Sequence, residues 1–225
     1  LSYTSSMTRR SLPVTDPNSE PLAARIATGL HKVGLATKQQ AFHLASDAGL
    51  SSTQGQILAA LVASGPLSGS ELAQRMALTL PTVSDSTRAL VEKGLITKEP
   101  DPRHPRASLL TLTRKGRVQG QRARAWPEFL AEAASVLSEY EQAVFYTSIV
   151  KMIRAMQERG QIPVSGMCVT CTHFRPHAHA GPKPHHCALV GTPMAGDQLR
   201  LDCAEHERLD EPERDALFER FVGIR

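Results

Sequence analysis

Between Ser68 and Thr113 the chain is punctuated so tightly by helix starts and stops that only short elements fit. Ser68-Gly-Ser-Glu71 has the form of a capping box, in which serine and glutamate side chains satisfy each other's orphan backbone N–H groups. It opens a short helix through Leu72, Met76 and Leu78. Thr79 caps a second helix, with Pro81 tolerated in its first turn and Gly94 stopping it. Leu95–Glu99 and Ala107–Thr113 then read as strands, with Pro102, His104 and Pro105 in the turn between them. Two short helices followed by a two-stranded hairpin predict a winged helix-turn-helix.

Longer helices flank this unit. Leu22, Ile26, Leu30 and Val33 recur at helical spacing and predict an amphipathic helix over 22–48, ending near Gly49. Ser51 or Ser52 caps the next, with Ile57, Leu58, Leu61 and Val62 inward, and Gly65-Pro66 stops it. Thr113 opens a helix carrying Val118, Trp126, Phe129, Leu130 and Leu137, which Pro127 kinks or breaks. Ser138-Glu-Tyr-Glu141 is a second capping box, starting a helix with Val144, Phe145, Ile149, Ile153 and Met156 on one stripe and ending at Gly160. These flanks carry more apolar face than one small winged domain needs, so a homodimer is expected; the alternative is that they wrap their own core.

The expected fold class is therefore mainly α with a small β-wing: a winged helix-turn-helix with dimerisation helices, plus a small irregular metal-binding tail. Its divisions are a disordered leader over 1–21, a DNA-binding and dimerisation unit over 22–162, and a Cys/His-rich tail with a terminal helix over 163–225. No run of about 18 apolar residues occurs, which excludes a membrane span. The opening LSYTSSMTRRSLPVTDPNSEPL lacks the apolar stretch of a secretory signal, and a cytoplasmic protein is expected.

Charge is concentrated rather than spread. Residues 67–125 carry eleven Lys/Arg against five Asp/Glu, as a phosphate-facing surface requires. On the 79–93 helix, Val83, Leu90 and Val91 define the buried side of a helical wheel, placing Pro81, Thr82, Asp85, Arg88 and Ala89 opposite. Short side chains at the N-terminal end of that face permit close approach to a major groove. Thr82 and the helix N-terminus suit phosphate and Arg88 suits guanine; alternatively Arg88 pairs with Asp85 or Glu92 on a solvated face.

The stretch TLPTVSDSTRALVEKGLITKEPDPRHPRASLLTLTRKG resembles the recognition helix and wing of MarR-type (multiple antibiotic resistance) regulators, and the resemblance runs over roughly residues 22–160. Its specific part is Leu90…Gly94-Leu95, then Asp101…Arg103…Arg106, then Leu112-Thr113…Gly116. The resemblance implies a homodimer on a pseudo-palindromic operator in double-stranded DNA, usually repressing, with a possible small-molecule effector. It also implies that Asp101 orients a wing arginine, Arg103 or Arg106, into the minor groove. His104-Pro105 departs from the family pattern, where an acidic residue followed by Arg is usual.

All four cysteines lie in the tail, as Cys168-x2-Cys171-x15-Cys187-x15-Cys203, and six of the nine histidines lie between His173 and His206. A reducing compartment favours metal over disulfides for such a set. A zinc ribbon normally shows two C-x-x-C knuckles, and here there is one; an iron–sulfur cluster accepts long gaps between thiolates. The segments CVTCTHF, HHCAL and LDC are also similar to the cluster-binding segment of high-potential iron–sulfur proteins. The expected cofactor is an iron–sulfur cluster, [4Fe-4S], on Cys168, Cys171, Cys187 and Cys203, with zinc as the alternative. His173, His177, His179, His185, His186 or His206 are candidate replacement zinc ligands, set against a solvated His-rich loop. After the cysteines, Asp210-Glu-Pro-Glu213 starts a helix with Leu217, Phe218, Phe221 and Val222, which must dock on the rest of the chain to be stable.

No nucleophile–base pair or phosphate loop is evident, and Cys168 and Cys171 lack the βαβ context of a dithiol oxidoreductase, so no enzymatic activity is expected. The leading expectation is a DNA-binding regulator whose tail senses redox state or iron. The alternative keeps the DNA binding, makes the tail a structural zinc module and places the signal in a small-molecule ligand.

Overall fold

The structure is a computed structural model that describes residues 20–102 and 104–223, with the backbone alone for 104–107. Most of the expected leader therefore lies outside the described residues, as does Arg103. Three elements precede the short helices: α1 (Leu22–Asp47), α2 (Ser52–Ser64) and β1 (Leu67–Ser68). Then come α3 (Gly69–Met76), α4 (Leu80–Glu92), β2 (Ile96–Asp101) and β3 (His104–Leu112), followed by α5 (Arg114–Arg124), α6 (Glu128–Ala134) and α7 (Glu139–Glu158).

The caps form as their residues dictate. Ser51 with Gln54, Ser68 with Glu71 and Ser138 with Glu141 make full capping boxes at α2, α3 and α7. Pro127 breaks the helix after Thr113 into α5 and α6. Between α3 and α4 the chain turns through Ala77, at φ 53°, a left-handed position that alanine occupies at some cost in strain.

The first sheet is antiparallel with order β1-β3-β2, so the hairpin gains a third strand that the sequence pattern does not announce. Leu67 pairs with Leu110, tying the start of α3 to the hairpin. His104 and Pro105 lie inside β3 rather than in a turn, with His104 opposite Asp101 and an irregularity at Pro100/Asp101. Ile57, Leu58, Leu61, Leu72, Val83, Leu90, Ile96 and Leu110 fill the core between α2, α3, α4 and this sheet. Gly116 lets α5 press on the hairpin: a Cβ there would stand 1.8 Å from the Leu95 carbonyl oxygen.

A second, separate core forms beyond residue 160. Here a 3-10 turn at Cys168–Thr170 precedes β4 (Phe174–Arg175), β5 (His185–Cys187) and β6 (Thr192–Met194), an antiparallel sheet of order β4-β5-β6. Then comes α8 (Glu211–Val222), whose Leu217 and Phe221 pack with Val150, Met167, Val169, Phe174 and Leu199. The terminal helix is docked, as its apolar stripe requires.

The tail covers one face of α7. Tyr146, Val150 and Ile153 belong to the tail core, and Val150 rather than Ile149 is the buried member of the stripe. The tail claims this face because it follows α7 directly and supplies Phe174, Leu199 and Phe221. By contrast α1 buries only Ala45, leaving Leu22, Ile26, Val33, Leu35 and Phe42 exposed along its length. Among the described residues no helix is long and apolar enough to cross a membrane.

Candidate nucleic-acid interface and four-cysteine pocket

The exposed face of α4 begins at its cap. The Thr82 N–H donates to Thr79 Oγ1 at 3.3 Å, and the two hydroxyls are 2.8 Å apart. This leaves the first turn of α4, with Pro81 and Thr82, open to solvent. Asp85 and Arg88 follow on the same side, joined by an ion pair of 2.8 Å with both side chains 70% exposed. Such a pair contributes about 0–1 kcal/mol, so Arg88 is free to exchange it for another acceptor.

The inward side of α4 is Val83, Thr87 and Leu90. Val91, expected inside, is exposed, and Thr87 takes the core position by donating its hydroxyl to the Ser84 carbonyl. The i, i+4, i+7 spacing of Val83, Thr87 and Leu90 follows the helical period better than an aliphatic-only reading does. An open groove of about 380 Å³ runs between the start of α3, α4 and the hairpin, lined among others by Ser70, Ser84, Lys98 and Ser108. These four were missed in the sequence reading. Only the exposed, cationic Lys98 carries a sequence signal for such a role.

At the tip of the hairpin, Asp101 is 3% exposed, a buried carboxylate at the end of β2. Arg106 lies within β3, and Arg103 is outside the described residues. Beyond the hairpin, α5 carries Arg114, Lys115, Arg117, Arg122 and Arg124 with no acidic residue. The cationic residues of the block are thus spread over α3, α4, the hairpin and α5.

In the tail, Cys168, Cys171, Cys187 and Cys203 line one cavity of about 30 Å³ with Phe174, Leu189 and Met194, although 35 residues separate the first cysteine from the last. All four are free thiols. The Cys168 pKa is pushed up by burial and by the other three cysteines, while the Arg200 N–H, 3.2 Å from its sulfur, pulls it down. The Arg200 guanidinium lies 3.9 Å from Cys203 Sγ. Backbone bonds hold the sulfurs' chain segments together: Cys168 N–H to the Arg200 carbonyl, Cys203 N–H to the Gly166 carbonyl, and Ala188 N–H to the His173 carbonyl.

Among the described residues no three Cys, His, Asp or Glu side chains are grouped closely enough to hold a single metal ion. A tetrahedral zinc ion would draw its thiolates to about 3.8 Å from one another. The histidines are mostly committed elsewhere. His177 and His185 pack against Phe221, His179 Nε2 meets His186 Nδ1 at 3.1 Å, and His206 Nε2 meets Thr170 Oγ1 at 3.0 Å. The loop itself stays open, with residues 177–183 exposed and His185 alone buried. His173 does line the cavity, with its Nε2 3.3 Å from Glu207.

The α3–α4 unit with its three-stranded wing defines a winged helix-turn-helix, and residues 48–107 match the model of the MarR family. Among solved structures, Staphylococcus aureus MepR in its DNA-binding conformation is similar at TM-score 0.52 and 25% identity, over 58% of this chain and 98% of that one. The S. aureus MepR–DNA complex gives TM-score 0.51 and 25% identity, over 61% of this chain and 99% of that one. Bacillus subtilis YusO matches at TM-score 0.48 and 23% identity, over 63% of this chain and 99% of that one. No match to this chain is found among curated proteins. The family model matches residues 48–107 of this chain, and roughly two-fifths of the chain extends beyond these alignments.

Proposed function

We propose that this chain is a transcriptional regulator that binds double-stranded DNA as a homodimer, with a tail that reports redox state or iron supply. The observation that supports DNA binding most is the capped, exposed N-terminal face of α4. There Pro81, Thr82, Asp85 and Arg88 stand opposite the buried Val83, Thr87 and Leu90, beside a wing in a cationic block. In this reading α4 enters the major groove, with Thr82 on phosphate and Arg88 on a guanine edge. Ser70 and Lys98 line the flanking groove as backbone contacts. Asp101 orients Arg103 or Arg106 towards the minor groove. The exposed apolar length of α1 is the face that a second copy covers, placing two α4 helices about one turn of DNA apart. MepR is named in a DNA complex, which agrees with this reading.

For the tail, four thiols around one apolar cavity, with an N–H donated to one sulfur, fit a four-thiolate iron–sulfur cluster, proposed as [4Fe-4S], better than one ion. Crowded thiolates in an apolar cavity repel one another unless a cationic core lies between them. When bound, such a cluster supplies one-electron chemistry at a potential set by hydrogen bonds to sulfur and by exposure. Cys168, Cys171, Cys187 and Cys203 hold it, Phe174, Leu189 and Met194 keep water away, and α7 joins the tail to the DNA-binding body. A second reading, a small-molecule effector, is favoured by a cavity of about 440 Å³ between α1 and α5, lined by Leu44, Leu50, Arg122 and Trp126. With Asp47 and Arg122 both in its lining, it suits a largely apolar molecule with a small polar group.

Two experiments test these readings. Anisotropy titrations on promoter DNA across a salt series should show tight binding; Arg103→Ala and Arg106→Ala should weaken binding to all sequences and flatten the salt slope, whereas Arg88→Ala should relax sequence preference. Unchanged slopes in both wing variants remove the wing. Protein purified without oxygen should contain iron and sulfide in matching amounts; colourless protein with one zinc per chain removes the cluster.

A further inference from the structure

One peptide group links α7 to the cysteine cavity. The Tyr146 hydroxyl, on α7, donates to the Leu199 carbonyl oxygen at 2.6 Å. The N–H on the other side of that same amide, belonging to Arg200, donates to Cys168 Sγ at 3.2 Å. The hydroxyl and the sulfur thus sit at opposite ends of one planar, resonance-coupled unit. Leu199 is buried, and Cys168 N–H donates to the carbonyl of the adjoining Arg200–Leu201 peptide at 3.0 Å, so the segment lies fixed against Cys168.

We propose that Tyr146 is a positioning residue for the cysteine site, acting through the Leu199–Arg200 peptide to set how readily a cluster held there accepts an electron. This rests on the iron–sulfur reading of the cavity. A hydroxyl bonded to a carbonyl draws electron density towards the oxygen and leaves the amide N–H a stronger donor, the ordinary cooperativity of bonds in series. A stronger N–H···S bond favours the form with more negative charge on sulfur, which is the reduced form. The Arg200 guanidinium, 3.9 Å from Cys203 Sγ, acts in the same direction on a second sulfur. The dependence is reciprocal: added charge on Cys168 strengthens the bond that holds Tyr146, and with it the grip of the tail on α7.

Tyr146→Phe removes the hydroxyl and keeps the ring in the tail core. If 10–30% of a charge-assisted bond is lost with the hydroxyl, the reduced-to-oxidised ratio at fixed potential falls about 1.3- to 4.5-fold. At 59 mV per decade this is a midpoint lower by about 7–39 mV. The experiment is a redox titration, followed by absorbance, of anaerobically purified full-length wild type, Tyr146→Phe and Tyr140→Phe, with iron and sulfide measured on each. Tyr140 is an exposed tyrosine on the same helix. The expected result is equal iron in all three, a lower midpoint in Tyr146→Phe and no change in Tyr140→Phe. An unchanged midpoint in iron-loaded Tyr146→Phe overturns the role of the hydroxyl while leaving the cluster in place. So does a loss of iron confined to Tyr146→Phe, because the hydroxyl would then hold the fold rather than set the potential. Iron-free wild-type protein overturns the cluster reading and this one together.

Discussion

The join between α7 and α8 turns on one buried cation. Arg154 is 2% exposed; its guanidinium contacts Asp215 at 2.7 Å and Glu158 at 2.9 Å, and lies 5.5 Å over the Phe218 ring. Burial pulls the Arg154 pKa down, Glu158 draws it up, Arg214 lowers it and Asp215 raises it. A guanidinium does not neutralise itself, so its desolvation appears as a cost in stability that the carboxylates offset. Asp215→Asn removes one of those charges. A hydrogen bond to a charged group contributes about 1.5–3 kcal/mol, and the lower end applies because Asp215 is 55% exposed and screened. About 1.5 kcal/mol corresponds to a roughly tenfold larger opening equilibrium for the tail.

Arg154→Met removes the buried charge itself, keeps the apolar stem against Phe218 and should cost less than Asp215→Asn, since replacing a buried pair by apolar atoms is often neutral. Amide hydrogen exchange in α8 and at 167–175 measures this opening, with α4 amides in the other core as the internal reference. The expected order of protection is wild type, then Arg154→Met, then Asp215→Asn, with α4 unchanged. Faster exchange in Arg154→Met than in Asp215→Asn would refute the argument that the buried cation, left with Glu158 alone, carries the cost.

Further outcomes follow from the same physics. Gly116→Ala drives a Cβ into the Leu95 carbonyl, backbone against backbone, and should cost about 1–3 kcal/mol in thermal unfolding followed by Trp126 fluorescence. Thr79→Ala removes the cap of α4, should cost about 1 kcal/mol in the same assay and should weaken DNA binding more than a change elsewhere of equal stability cost. The Glu141 carboxyl is held below its ordinary 4.5, first by the Ser138 hydroxyl and then by the Ser138 N–H. The stability from this capping box is therefore complete above pH 4.5 and is lost as pH falls through the lower folded value. Helix content followed by circular dichroism should decline over that window in wild type and more weakly in Glu141→Gln.

How much could be read from the chain depended on the range over which its signals act. Ser51, Ser68, Thr79 and Ser138 start their helices as expected because a cap needs only three neighbouring residues. Pro127 breaks a helix for an equally local reason. The strand Leu67–Ser68 is too short to carry any periodicity and exists only because Leu110 lies opposite. Thr87 was passed over for Val91 because its hydroxyl reads as polar, although a bond to the Ser84 carbonyl lets it be buried. The cysteine spacing pointed to a common site but not to its walls, since Leu189 and Met194 reach it only through the β4-β5-β6 pairing. Least legible was the partner of α7, because an apolar stripe does not record what will cover it.

That last feature has a temporal side. Synthesis proceeds at about 5–20 residues per second and earlier units fold first. The body can close its core once Trp126 has followed it out of the ribosome. The inward face of α7, with Tyr146, Val150 and Ile153, waits for Phe174, Leu199 and Phe221, which arrive up to 63 residues after the helix ends at Glu158. The wait is roughly 3–13 s at those rates. Throughout it, a nascent chain carries a bare apolar stripe, and its four thiols emerge in turn, Cys203 last. A chain stopped at Gly160 would keep that stripe uncovered for good, and its tendency to aggregate measures what the tail does for the rest of the molecule.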